Sequence, residues 1–115
     1  MKSDDKHYIM KKVLFICSQN KLRSPTAEHI FADYVSLEVD SAGLNRGSYI
    51  ELCTEQVEWA DIIFVMEQRH REKLLKNFRS HINGQRVICL DIPDDYAFMD
   101  PGLIKILNVK VKPYL

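Results

Sequence analysis

In "VLFICSQNKLRSPTAE", Val13 to Glu28, an apolar run ends at Cys17, a polar loop follows, and Arg23 stands six residues beyond the cysteine. This spacing makes chemical sense if the ligand is a phosphate-like dianion. The backbone N–H groups of Ser18, Gln19, Asn20, Lys21, Leu22, Arg23 and Ser24, in a tight loop entering a helix, can form an anion nest, and the helix dipole adds partial positive charge. Arg23 offers the same anion a planar, two-pronged donor that a lysine does not reproduce. With the nest empty, a thiolate at Cys17 is the anion it stabilises. The expected reaction is attack by Cys17 on the phosphorus of a phosphomonoester, giving a cysteinyl-phosphate that water then hydrolyses. Arg23 and the loop amides hold the equatorial oxygens through both steps. The leaving oxygen needs a proton from a carboxylic acid, which then serves as base toward the water. Asp91, Asp94 and Asp95 are the candidates, and the sequence places no histidine for the task.

The elements that must position these groups alternate along the chain. "KVLFIC" reads as a strand buried on both faces of a parallel sheet. Ser24 is the expected N-cap and Pro25 the first helical residue, with Ala27, Ile30, Phe31 and Tyr34 forming one apolar stripe. "LEVDSAG" is a second strand, closed by Gly43. "LNRGSYIELC" is the least regular stretch, and Thr54 is expected to cap a short helix through Trp59. "DIIFVM" is a third strand, followed by the helix "EQRHREKLLKNF" with Leu74, Leu75 and Phe78 facing inward. "RVICL" is a fourth strand. After the polar loop "DIPDDYAFM" comes a last helix, with Asp100 as cap, Pro101 first, and Leu103, Ile104 and Leu107 packing. The pattern predicts an α/β protein: a single-domain, open, four-stranded parallel sheet with helices on both faces. Ligands of such sheets bind beyond the carboxyl ends of the strands, where both polar loops begin.

Composition narrows the functional classes. At 115 residues, 46% hydrophobic and 28% charged, the sequence is that of one globular domain, 1–115, with 1–11 expected as a flexible tail. Lys and Arg together number 16, as do Asp and Glu, so no global field draws the protein to nucleic acid or a membrane surface and an anion site must be built locally. The basic run in "EQRHREKLLK" is interrupted by acids and reads as a solvated helix face. "MKSDDKHYIMKK" lacks the apolar core of a secretion signal, and no apolar run is long enough to span a bilayer. Cys17, Cys53 and Cys89, without metal-like spacing, fit reduced thiols in a cytoplasmic protein, with neither a metal nor another cofactor expected.

The residues from Val13 to Glu28 resemble the phosphate-binding loop of low-molecular-weight protein tyrosine phosphatases, whose usual form is close to V-L-F-V-C-x-G-N-x-C-R-S-P-x-A-E. The likeness continues in register through "VDSAG" at Val39–Gly43, "ADIIFVME" at Ala60–Glu67 and "DIPDDY" at Asp91–Tyr96, and is strongest to a compact bacterial branch of that family. The resemblance implies the family's four-stranded parallel sheet. It also implies Cys17 as nucleophile, Arg23 as phosphate clamp, Ser24 as the hydroxyl supporting the thiolate, and Asn20 with Ser41 as the pair that pins the loop. Laid against the bacterial acid loop, "DIPDDYAF" puts Asp94 at the general-acid position and Tyr96 at the aromatic lining the substrate slot, while Asp91 becomes a strand-end residue. The implied substrate is a phosphorylated protein or a small aryl phosphomonoester.

Four departures bear on how well such a site would work. Gln19 replaces the usual loop glycine, so any left-handed residue must be another, and Asn20 tolerates that conformation. Leu22 replaces a cysteine that often neighbours the nucleophile. Asp95 replaces a proline; at ~8 Å from a substrate charge and an effective dielectric of ~20, its charge would cost about 2 kcal/mol of binding. The segment between "SAG" and "ADIIFVM" is much shorter than in the family, removing part of the usual wall, with Tyr49 and Trp59 the aromatic replacements on offer. These departures keep a low-turnover phosphate- or phosphopeptide-binding module open as an alternative. A thiol-dependent arsenate reductase is a further alternative, although Cys53 and Cys89 read as packing rather than as a resolving pair.

Overall fold

The computed structural model describes residues 10–115. Of the expected tail 1–11, residues 1–9 lie outside that range, and Lys11 already belongs to the first strand. Strand β1 is Lys11–Cys17, β2 Leu37–Gly43, β3 Ile62–Val65 and β4 Arg86–Cys89; helix α1 is Arg23–Phe31, α2 Thr54–Trp59, α3 Gln68–Phe78 and α4 Pro101–Val111. The four strands form one sheet in the order β2-β1-β3-β4, and all pairings are parallel. The expected α/β architecture is therefore the observed one.

Alternation along the central strand divides the core. Val13, Phe15 and Cys17 face one side, where Ala27 and Phe31 of α1 and Leu103, Leu107 and Val111 of α4 cover them. Leu14 and Ile16 face the other side, with Val57 of α2 and Leu74 of α3. Val13 through Ile16 are fully buried, which explains why the strand reads as continuous apolar sequence instead of alternating with polar residues. Trp59 packs, partly buried, against the second cluster, so it is a core aromatic. Leu75 and Ile104, expected to face inward, are only half-buried; in α4 the buried stripe is Leu103, Leu107 and Val111 at helical repeat.

Two caps differ from expectation. Helix α1 begins at Arg23 with Leu22 as N-cap, and the Ser24 hydroxyl is used elsewhere. Helix α2 is capped by Cys53, whose backbone N–H donates to Gln56 Oε1 at 3.2 Å, with Thr54 as its first residue. The Asp100 cap of α4 is as read: its Oδ1 accepts from Gly102 N at 2.7 Å, with Pro101 first in the helix.

The strand order makes the chain turn to one side of β1 to form β2 and then cross to the other to form β3. The carboxyl ends of β1 and β3 are thus the topological switch point, where open α/β sheets place ligands. Cys17 ends β1 there, and Met66 and Glu67 follow β3.

Candidate active site

The loop between β1 and α1 turns on one left-handed residue. Asn20 has φ 57°, while Gln19, at the family's glycine position, is not in the left-handed region. Asn20 therefore supplies the backbone freedom that the missing glycine would have given. Its amide does a second job behind the loop: Nδ2 donates to Ser24 Oγ at 3.0 Å and to Ser41 Oγ at 2.9 Å. Ser41 Oγ passes its own hydrogen to Glu28 Oε1. Ser24 Oγ, which accepts from Asn20, lies 2.9 Å from Cys17 Sγ, a contact in which either group can donate; the Asn20 backbone N–H donates to the same sulfur at 3.3 Å. To a thiolate at Cys17, the Ser24 hydroxyl and the Asn20 N–H would both donate.

The outward carbonyls of the loop are satisfied by the shortened segment after β2. Leu44 N donates to Cys17 O at 3.0 Å, Asn45 N to Ser18 O at 2.9 Å, and Tyr49 N to Gln19 O at 3.0 Å. Gly43 is required where this segment meets the loop. A Cβ there would lie 2.3 Å from Ser48 Oγ and 2.8 Å from the Gln19 carbonyl carbon, too close for any side chain. What remains of the missing family segment is therefore a brace for the loop.

Arg23 is fixed from below. The side chain is almost fully buried, and its Nη1 donates to Glu67 and, at 2.8 Å, to Ile92 O. Nε lies 3.7 Å from Asp94 Oδ1. Nη2 makes no hydrogen bond among the described residues, which leaves a donor for a ligand. Glu67 is shared with Arg69, whose Nε and Nη2 donate to it at 3.0 and 3.1 Å. Those bonds, with the Arg23 guanidinium, hold the Glu67 carboxyl down to about 2. Arg23→Lys keeps the charge but not the fork. We expect it to weaken phosphate binding and lower turnover by about 10²–10³-fold, as for loss of an oxyanion donor, measured by steady-state kinetics with phosphate inhibition.

These groups open into one cavity of about 270 Å3. Cys17, Ser18, Gln19, Lys21, Leu22 and Arg23 line it from the loop, and Asn45, Arg69 and Asp94 complete it. Asn20 and Ser24, expected with them, are not among the lining residues; their side chains serve the network behind. The three candidate acids are told apart by position. Asp94 lines this cavity. Asp91 lines a separate groove with Glu67 and Gln68, and its Oδ1 accepts from Cys89 Sγ at 3.3 Å, while Asp95 is solvent-exposed. Water screening reduces the binding cost expected of Asp95 well below the figure for a semi-buried charge.

Tyr96 corrects an expectation. Its half-buried ring packs against the first core cluster, with Cε1 3.5 Å from the Cβ position of Gly102, and it does not line the cavity. Tyr49 does not line it either and is 81% exposed. Arg69 and Asn45 stand where an aromatic wall was expected, so the rim is polar and basic. Cys53 is exposed and Cys89 sits at the end of β4, and neither forms a hydrogen bond to Cys17. Among the described residues no group of His, Cys, Asp and Glu could hold a metal ion, and no helix is long and apolar enough to cross a membrane.

The sequence reasoning missed Glu67, Arg69 and His70. The rule that picks out Cys17, a polar residue at the carboxyl end of a strand at the switch point, applies equally to the residues after β3. Glu67 is the N-cap of α3, and its backbone N–H donates to His70 Nδ1 at 3.1 Å. His70 Nε2 lies 2.8 Å from Ser18 Oγ. Burial, aided by the Arg23 and Arg69 charges, lowers His70 from its ordinary 6.5 to about 4. Between those values the unfolded chain binds a proton that the folded one does not, so stability falls as pH drops from 6.5 toward 4. Below 4.5 the depressed Glu67 adds a further loss that runs toward pH 2. Thermal melting across this range should show both phases, and His70→Gln should remove the upper one.

A family model described as low molecular weight phosphotyrosine protein phosphatase matches residues 12–52, the loop and the two strands that hold it. The fold is that of the low-molecular-weight phosphatases. The chain is similar to the YwlE arginine phosphatase from Geobacillus stearothermophilus, at 19% identity over 90% of this chain and 93% of that one, TM-score 0.71. It is similar to the tyrosine phosphatase Wzb from Escherichia coli K30 in complex with phosphate, at 18% identity over 91% and 96%, TM-score 0.73. It is also similar to the low molecular weight protein tyrosine phosphatase SP-PTP from Streptococcus pyogenes, at 17% identity over 92% and 94%, TM-score 0.72. Among curated proteins, none matches the chain by sequence. The resemblance read from Val13–Glu28 therefore holds for the loop, and the phosphatase fold extends over nearly the whole chain. A tyrosine and an arginine phosphatase share that fold, so the substrate has to be argued from the site.

Proposed function

We propose that this protein is a cysteine-dependent phosphomonoester hydrolase. Cys17 attacks phosphorus, Arg23 and the loop amides hold the transferring group, and Asp94 protonates the leaving oxygen before activating water. The observation that carries the reading is the hydrogen-bonded chain from Asn20 through Ser24 to Cys17 Sγ, at 3.0 and 2.9 Å, in a cavity that Arg23 and Asp94 also line. Such a chain can deliver a hydrogen to a reacting sulfur, which a cysteine used only for packing does not need. The expected step forms an S–P bond as the P–O bond to the leaving group breaks, with the proton passing from Asp94 to that oxygen. Water, deprotonated by Asp94, then cleaves the S–P bond and releases inorganic phosphate.

The substrate is a phosphorylated protein or small phosphomonoester. The polar rim of Arg69, Lys21 and Asn45 supports recognition of the phosphoryl group and polar neighbours more than of an aryl ring. Hydrolysis of p-nitrophenyl phosphate at mildly acidic to neutral pH tests the reading: wild-type protein should turn over and be inhibited by inorganic phosphate and vanadate. Oxyanion binding without turnover would favour the alternative, a phosphate- or phosphopeptide-binding module. Asp94 lying 3.7 Å from Arg23 Nε is the observation on that side, because an acid engaged by the clamp is less available as a proton donor.

A further inference from the structure

Ser18 follows the nucleophile and lines the cavity, and its hydroxyl is tied to a residue outside the loop. A serine hydroxyl can present either its hydrogen or its lone pairs, and a bound dianion rewards the first and repels the second. Which one faces the cavity is set two bonds away. The Glu67 backbone N–H can only donate, so His70 Nδ1, 3.1 Å away, accepts. Neutral His70 therefore carries its hydrogen on Nε2, which donates to Ser18 Oγ at 2.8 Å. With a lone pair engaged by the imidazole, the Ser18 hydrogen cannot return to it, and among the described residues Ser18 Oγ makes no other hydrogen bond. The opposite tautomer would draw that hydrogen away and turn the lone pairs on the anion.

The Ser18 backbone leaves little freedom to evade this arrangement. Its carbonyl accepts from Asn45 N at 2.9 Å and from Ser48 Oγ at 3.1 Å. His70 is 3% exposed and rides on the first turn of α3, whose N-cap Glu67 also holds Arg23. One helix start thus sets two donors aimed at the same cavity. We propose that His70 is a positioning residue that holds the Ser18 hydroxyl as a hydrogen-bond donor to the bound phosphoryl group. The inference rests on the cavity being a phosphate site, as proposed above.

A double-mutant cycle tests it, with inorganic phosphate as probe in competition with p-nitrophenyl phosphate. Ser18→Ala should weaken phosphate inhibition by about tenfold, the size of one hydrogen bond to a charged group. His70→Phe should weaken it comparably in the native background and add nothing in the Ser18→Ala background. His70→Gln, whose amide can accept from Glu67 N–H and donate to Ser18, should recover part of the loss. Melting temperatures measured alongside separate any loss of folded protein from loss of binding. Phosphate affinity unchanged in Ser18→Ala overturns the proposal, and does so even if His70→Phe fails to fold. Independent, multiplying effects of the two substitutions overturn it too. A wild-type protein that binds no phosphate at all would overturn the proposal together with the phosphate-site reading, an outcome distinct from the first two.

Discussion

Cys17→Ser should bring hydrolysis of p-nitrophenyl phosphate to the uncatalysed background while inorganic phosphate still binds. A serine hydroxyl at this position remains a neutral, weak nucleophile, because the donors around it stabilise a sulfur anion and include no base to take its proton. The fold should tolerate the change: the side chain is of similar size, and Ser24 Oγ and the Asn20 N–H remain to satisfy the new hydroxyl. Phosphate binding should hold, since Arg23 and the loop that line the cavity are unchanged. Steady-state kinetics and calorimetry on the same preparation check both parts. Turnover surviving in Cys17→Ser would put the nucleophile elsewhere.

Asp94→Asn should lower turnover by about 10²–10⁴-fold, the contribution of a positioned general acid–base, while Asp95→Asn changes it only a few-fold. The contrast follows from placement: Asp94 lines the cavity beside Arg23, and Asp95 does not line it. The chemistry adds a finer expectation. p-Nitrophenolate leaves without much help from a proton, so the Asp94→Asn defect should be larger with an alkyl phosphate, whose alkoxide needs one. An equal defect for both substrates would assign Asp94 to the water-activating step alone. A larger defect for Asp95→Asn than for Asp94→Asn would contradict the assignment of the acid loop.

The parts of this molecule legible in its sequence are those governed by periodicity and local backbone chemistry. "KVLFIC" reads as a doubly buried strand because helices cover both faces of β1, α1 and α4 on one and α2 and α3 on the other. Asn20 could be named as the residue to take the left-handed turn because side-chain type alone limits that choice. Ser24 was legible as important but for two roles, and the structure keeps the sulfur contact while the helix starts two residues earlier. Tyr96 was not legible: a loop has no period to say which way a ring turns, and here it is held against the core cluster beside α4. Glu67 and His70 were hidden for a related reason. Their roles depend on the switch point bringing α3 beside the loop after β1, a contact of 44 residues' separation for Arg23 with Glu67 and 52 for Ser18 with His70.

The central claim is a covalent phosphoryl group on Cys17 during turnover. Asp94→Asn protein, slowed in releasing that group, mixed with p-nitrophenyl phosphate, quenched in acid and digested, should yield the Cys17 peptide heavier by one phosphoryl group. That adduct should be absent from Cys17→Ser protein treated identically. An unmodified Cys17 peptide at a time when p-nitrophenol is being released faster than by Cys17→Ser protein would contradict the account.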